Sequence, residues 1–103
     1  MMLTDKLVLV TGASRGIGQA IALTLGAAGA TVIGTATTQK GAKAISKQFA
    51  KNKINGQGMI LNVTDDNNIT KLIKNINEKY GAVDILINNA GITRDNILIR
   101  MKQ

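Results

Sequence analysis

Apolar and polar positions along the chain follow two alternating periods. Lys6-Leu-Val-Leu-Val-Thr11 is a short unbroken apolar run that closes on a glycine turn, the pattern of a strand buried on both faces. Ile17, Ala20, Ile21, Thr24, Leu25 and Ala28 then recur at helical spacing, and Gly29 predicts where that helix stops. Thr31–Ala36 predicts a second strand, and Ala42, Ile45 and Phe49 mark a second, lysine-crowded helix. Gly58–Asn62 predicts a third strand. Thr64 is a candidate N-cap for a third helix, where Asp65 and Asp66 would complement the helix dipole. The inward stripe of that helix would be Ile69, Leu72, Ile73, Ile76 and Tyr80, and Gly81 would end it. Val83–Ile87 predicts a fourth strand.

Strands separated by helices of this length form parallel βαβ units with right-handed crossovers. The expected class is α/β: a Rossmann-type doubly wound parallel sheet, incomplete, with about four strands and alternating helices. No Pro-rich linker, repeat or low-complexity stretch divides residues 1–103, which read as part of one domain. A strand as apolar as Val83–Ile87 belongs inside a sheet, so its outer edge is expected to be bare if the chain stops at Gln103.

Composition narrows the chemistry. Without cysteine there is neither a disulfide framework nor a thiolate metal site, and without histidine the commonest general base and metal ligand are missing. Proton transfer at neutral pH would fall to lysine, a shifted carboxylate or Tyr80, the single tyrosine. The net charge of +7 raises the question of nucleic acid, but the lysines are dispersed at helix-surface spacings. Tyr80 and Phe49, the whole aromatic complement, provide no stacking platform for bases, so no nucleic-acid partner is expected. Met1–Asp5 does not resemble a signal peptide and the Leu7–Val10 run is strand-length, so no membrane partner and a cytoplasmic location are expected.

Chemistry concentrates where strands end. The first strand runs into "TGASRGIG", Thr11 to Gly18. Gly12, Gly16 and Gly18 allow a tight turn off a strand and a close approach of backbone to a pyrophosphate, which the first amides of the following helix would hold. At the end of the second strand a carboxylate would accept from an adenosine ribose 2′-hydroxyl. Thr35-Ala-Thr-Thr-Gln-Lys40 has none, whereas Arg15 can pair with a 2′-phosphate and Thr37 can donate to it, which favours NADPH over NADH. Asn62-Val63, after the third strand, suits an adenine edge and face, although such a pair also serves as a turn or cap. Asn88-Asn89-Ala90-Gly91 follows the fourth strand at the same sheet edge. There Asn89 or its backbone can contact the nicotinamide ribose, and Asn88 can tie the strand to its outer neighbour.

Taken together, "TGASRGIG", "NVT" and "NNAG" resemble the short-chain dehydrogenase/reductase family in order and spacing over essentially the whole chain. The "VIGTATT" and "NNAGITRDNILIRM" stretches resemble, more narrowly, its bacterial members that reduce 3-oxoacyl chains during fatty acid biosynthesis. The resemblance implies NADPH-dependent reduction of a 3-oxoacyl thioester to the 3-hydroxyacyl thioester, with acyl carrier protein as the partner carrying the substrate. It implies a homotetramer when full length. Gly12, Ala13, Ser14 and Arg15 would hold the phosphates, with Gly16, Ile17 and Gly18 completing the loop. Thr37 would lie at the 2′-phosphate, Asn62 and Val63 beside adenine, and Asn89, Ala90 and Gly91 by the ribose. Acyl carrier protein is strongly acidic, which a basic chain suits.

One departure stands out. The family polarises its carbonyl with a serine and a tyrosine whose pKa a lysine four residues on lowers. Tyr80 is followed by Gly81, Ala82, Val83 and Asp84, so no catalytic residue is expected within this chain, and alone it is expected to be inactive. The alternatives are a non-catalytic NADP-binding remnant, or a related short-chain reductase acting on another acyl thioester or carbonyl.

Overall fold

The computed structural model describes residues 2–61, 66–89 and 97–100, the side chains of 66–69 and 97–100 excepted. Its elements are β1 (Leu7–Thr11), α1 (Gly16–Ala27), β2 (Thr31–Ala36), α2 (Gln39–Lys51), β3 (Gly56–Ile60), α3 (Asp66–Tyr80), β4 (Ile85–Asn88) and β5 (Ile97–Arg100). The sheet order is β3-β2-β1-β4-β5. From β3 to β4 all neighbours are parallel, which is the expected Rossmann-like α/β arrangement.

Alternation along β1 fills both sides of the sheet, because successive side chains point to opposite faces. Val8 and Val10 join Val32, Ala22, Ile45 and Phe49 under α1 and α2. Leu7 and Leu9 join Ile33, Leu72, Ile76 and Leu86 under α3. Leu9, Ile33 and Ile76 are fully buried, and each contributes about 1.5–3 kcal/mol over an exposed side chain.

The apolar stripe expected for α1 is turned inward only in part: Ile21 and Leu25 pack half-buried against the core. Ile17 is 67% exposed and Ala20 and Thr24 face solvent, whereas Gly18 and Ala22 are buried. The helix is apolar nearly all round, so hydrophobicity alone does not fix its orientation. Size does. A Cβ at Gly18 would strike the Gly12 carbonyl and one at Gly26 would strike the Ile54 side chain, so the small residues face inward and bring α1 close to the sheet. A shallow apolar concavity of about 220 Å³, lined by Ala20, Ile21, Thr24 and Leu25, remains on the outer side. The predicted stop holds: Gly29 at φ +101° donates to the Gly26 carbonyl (3.0 Å), and Ala30 donates to Leu25 (3.2 Å), a Schellman closure.

The second helix buries Ala42, Ile45 and Phe49 as predicted, and Thr38 caps it by accepting from the Gly41 amide at 3.0 Å. Strand β3 begins two residues earlier than the expected Gly58, because pairing with β2 already starts at Val32↔Gly56. On its outer side the Gly58 amide donates to the Ser46 hydroxyl of α2 at 2.8 Å. Within α3, Leu72 and Ile76 are buried, but Tyr80 leaves the expected stripe and its hydroxyl accepts from Gln57 Nε2 at 2.7 Å. Thr64 and Asp65, the expected start of that helix, lie outside the described residues.

Two departures concern β4. Its ladder starts at Ile85, not Val83, because Asp84 instead grips β1: its carboxylate accepts from the Leu7 amide and its own amide donates to the Leu7 carbonyl, both at 2.9 Å. Its outer edge, expected to be bare, is covered by β5, which runs antiparallel from Ile85↔Arg100 to Asn88↔Ile97. The apolar run Ile97-Leu98-Ile99 carried that signal, but no strand was expected there.

Candidate functional site, a dinucleotide cradle at the strand ends

The strand order changes direction at β1: β2 and β3 lie on one side and β4 on the other. In open α/β sheets, ligands collect in the crevice beyond the carboxyl ends at such a point. The residues at that crevice are linked side chain to backbone. Thr11, fully buried at the end of β1, faces Asn88 across the ladder and donates its hydroxyl to Asn88 Oδ1 at 3.0 Å. Thr11 Oγ1 in turn accepts from the Asn89 backbone amide at 2.9 Å. Asn88 is thus bound inward to β1 through its side-chain oxygen.

The glycine loop leaves β1 with Gly12 at φ +66° and Gly16 at φ +64°, conformations that side chains with a Cβ rarely adopt. The Gly12 carbonyl accepts from Asn89 Nδ2 at 3.2 Å, and its amide donates to Thr35 Oγ1 at 3.2 Å. Ala13 is buried and donates its amide to the Thr35 carbonyl at 2.8 Å. From there outward the loop is accessible: Ser14 is half-buried, and Arg15, Gly16 and Ile17 are exposed. Arg15 is the N-cap residue of α1 and its side chain makes no capping hydrogen bond. No acidic residue occupies the first turn. The leading amides of any helix lack intrahelical acceptors and carry the positive end of its dipole, so this end suits an anion.

The loop's own steric features fit a dinucleotide. A Cβ at Gly18 would collide with the Gly12 carbonyl and the Asn89 amide, so the helix start is pressed onto the turn. Among the described residues nothing lies within 4 Å of where a Cβ at Gly16 would stand, so they leave the outer side of the loop open. Next to it, the start of α2 approaches the loop: a Cβ on Gly41 would sit 3.8 Å from that of Ser14. Thr37 is exposed at the end of β2, and the first turn of α2 also has no acidic residue.

Gly12, Ala13, Ser14, Arg15, Gly16, Ile17, Gly18 and Asn89 thus converge on one crevice, with Thr37 at the neighbouring strand end. Asn62, Val63, Ala90 and Gly91 lie outside the described residues. Thr11 and Thr35 build the site although neither is among the expected site residues. Their signal was a hydroxyl inside an otherwise apolar strand, which must find a hydrogen-bond partner once buried. Among the described residues no group of acidic side chains could hold a metal ion. No described helix is long and apolar enough to cross a membrane.

A glycine-rich turn at the switch point of a parallel sheet defines a Rossmann-like α/β protein, and comparison with known proteins gives the family. A family model for short chain dehydrogenases matches residues 6–103, and the chain belongs to that family. Among individual proteins it is similar to the 3-oxoacyl-[acyl-carrier-protein] reductase FabG of Vibrio harveyi, with 60% identity over 102 residues. The reductases of the same name from Escherichia coli K12 and Pseudomonas aeruginosa are 58% and 52% identical over 102 residues. In each case the match spans 99% of this chain and 41% of the relative, so the chain corresponds to about two-fifths of the proteins it matches.

Proposed function

We propose that residues 1–103 form the cofactor-binding part of an NADPH-dependent 3-oxoacyl-[acyl-carrier-protein] reductase. The observation that carries the reading is the fixed glycine loop with Arg15 exposed at its rim and no carboxylate at the end of β2. Gly12 to Gly18 would hold the pyrophosphate, Arg15 and Thr37 the 2′-phosphate, and Asn89 the ribose side. When bound, the reduced nicotinamide supplies a hydride, here to the C3 carbonyl of an acyl thioester. Tyr80 is a poor proton donor for that step: it pairs with Gln57 near the start of β3, at the end of the sheet away from the crevice. The serine, tyrosine and lysine of the family lie outside these residues in this reading. Acyl carrier protein as substrate carrier, a homotetrameric whole protein and a cytoplasmic location belong to the same proposal, supported by the similarity to the named reductases.

Fluorescence titration with NADPH and NADH tests the cofactor. Saturable binding that prefers NADPH supports the reading, and equal or no binding overturns it. Sequencing the reading frame beyond codon 103 tests the enzyme: an encoded Tyr-x-x-x-Lys supports a reductase, and an immediate stop supports the non-catalytic alternative.

A further inference from the structure

We infer that Thr35, on β2, is a positioning residue that sets the shape of the phosphate loop by catching an amide that the sheet ladder releases. The inference rests on the cofactor reading above. In a parallel ladder every second residue of one strand bonds to its neighbour. Lys6 accepts from Thr31 at 2.9 Å, so the rungs continue through Val8 and Val10, and the next donor in step is Gly12, aimed at the Thr35 carbonyl. The register stops at Val10↔Gly34. Instead of Gly12, Ala13 takes the Thr35 carbonyl at 2.8 Å, a slip of one residue made possible by the positive φ of Gly12. The slip would leave the half-buried Gly12 amide without a backbone acceptor. The Thr35 hydroxyl, 1% exposed, takes it at 3.2 Å.

One threonine therefore holds two consecutive amides, one through its carbonyl and one through its side chain. Gly12 is thereby fixed on three sides: by Thr35 at its amide, by Asn89 at its carbonyl and by Gly18 against its backbone. With the slip in place, the chain from Ser14 onward turns outward and the α1 amides face the crevice. Without the hydroxyl, the in-step bond from Gly12 to the Thr35 carbonyl competes with the one from Ala13, and the loop has two alternative registers.

Three substitutions in the intact protein test this. Thr35→Val keeps the shape and removes the acceptor, Thr35→Ala removes hydroxyl and bulk, and Thr35→Ser keeps the hydroxyl. Hydrogen exchange of peptides covering residues 8–18, measured without cofactor, should quicken about tenfold in the valine and alanine proteins and stay near wild type in the serine protein. NADPH dissociation constants should rise about tenfold in the same two and recover in the serine protein. If Thr35→Val does not fold, the serine–alanine contrast carries the test. Wild-type exchange and affinity in a folded valine or alanine protein overturns the inference. So does faster exchange with unchanged affinity. Absence of NADPH binding in the wild type would instead sink the cofactor reading, and exchange would still decide whether Thr35 holds the loop.

Discussion

Asn89 reaches from the end of β4 to the Gly12 carbonyl, donating through Nδ2 at 3.2 Å, and so joins two turns that lie far apart in sequence. The contact makes this asparagine part of the loop's support as well as a candidate ligand-facing residue. Asn89→Ala should cost about 1 kcal/mol in stability and weaken NADPH binding severalfold, read by thermal melting and titration. Asn89→Asp should be worse on both counts, since a carboxylate cannot donate to a carbonyl. An Asn89→Ala protein that melts and binds NADPH like wild type would show that the bond is unimportant.

Gly16 and Gly18 are two residues apart and should respond differently to alanine. At Gly18 a methyl meets backbone, so Gly18→Ala should cost about 1–3 kcal/mol, or abolish folding, through overpacking. At Gly16 there is space, and the cost of about 1–2 kcal/mol comes from its left-handed backbone alone. Denaturant melts of both variants compare them directly. A Gly18→Ala protein as stable as wild type would contradict the close packing of α1 on the turn.

Arg15→Ala should leave stability within about 0.5 kcal/mol of wild type, as expected of an exposed side chain with no capping bond. Its affinity for NADPH should fall about tenfold while that for NADH barely changes, because only the former carries the 2′-phosphate. A parallel fall for both cofactors would place Arg15 at the pyrophosphate instead.

Asp84→Ala removes the acceptor of the buried Leu7 amide and should cost about 1–3 kcal/mol by chemical denaturation. Asp84→Asn keeps an oxygen that can accept and should retain most of the stability. If the two proteins melt together, the Leu7 contact contributes little.

Much of the architecture was legible because β1 and β2 are apolar on both faces, and because Gly29 and Gly81 stop their helices at positive φ. The glycine loop was legible for a related reason: its spacing only makes sense between a strand and a helix. The orientation of α1 was not. Ile17 and Leu25 look equally fit for burial, and only the contacts of Gly18 and Gly26 select the inward face. Similarly, nothing in the order of Thr11, Thr35, Asn88 and Asn89 reveals who bonds to whom, since the pairings exist only once three strand ends are adjacent. The strand at Ile97–Arg100 was missed because four residues give too short a pattern to separate from a loop.

Ser46 on α2 holds the Gly58 amide halfway along the border strand of the sheet. A foreign peptide trying to zip onto that border would meet an interrupted row of donors, and it would have to evict a helix side chain to proceed. A single hydroxyl thus removes one donor from the free flank, at a spot where the neighbouring glycines offer no bulk.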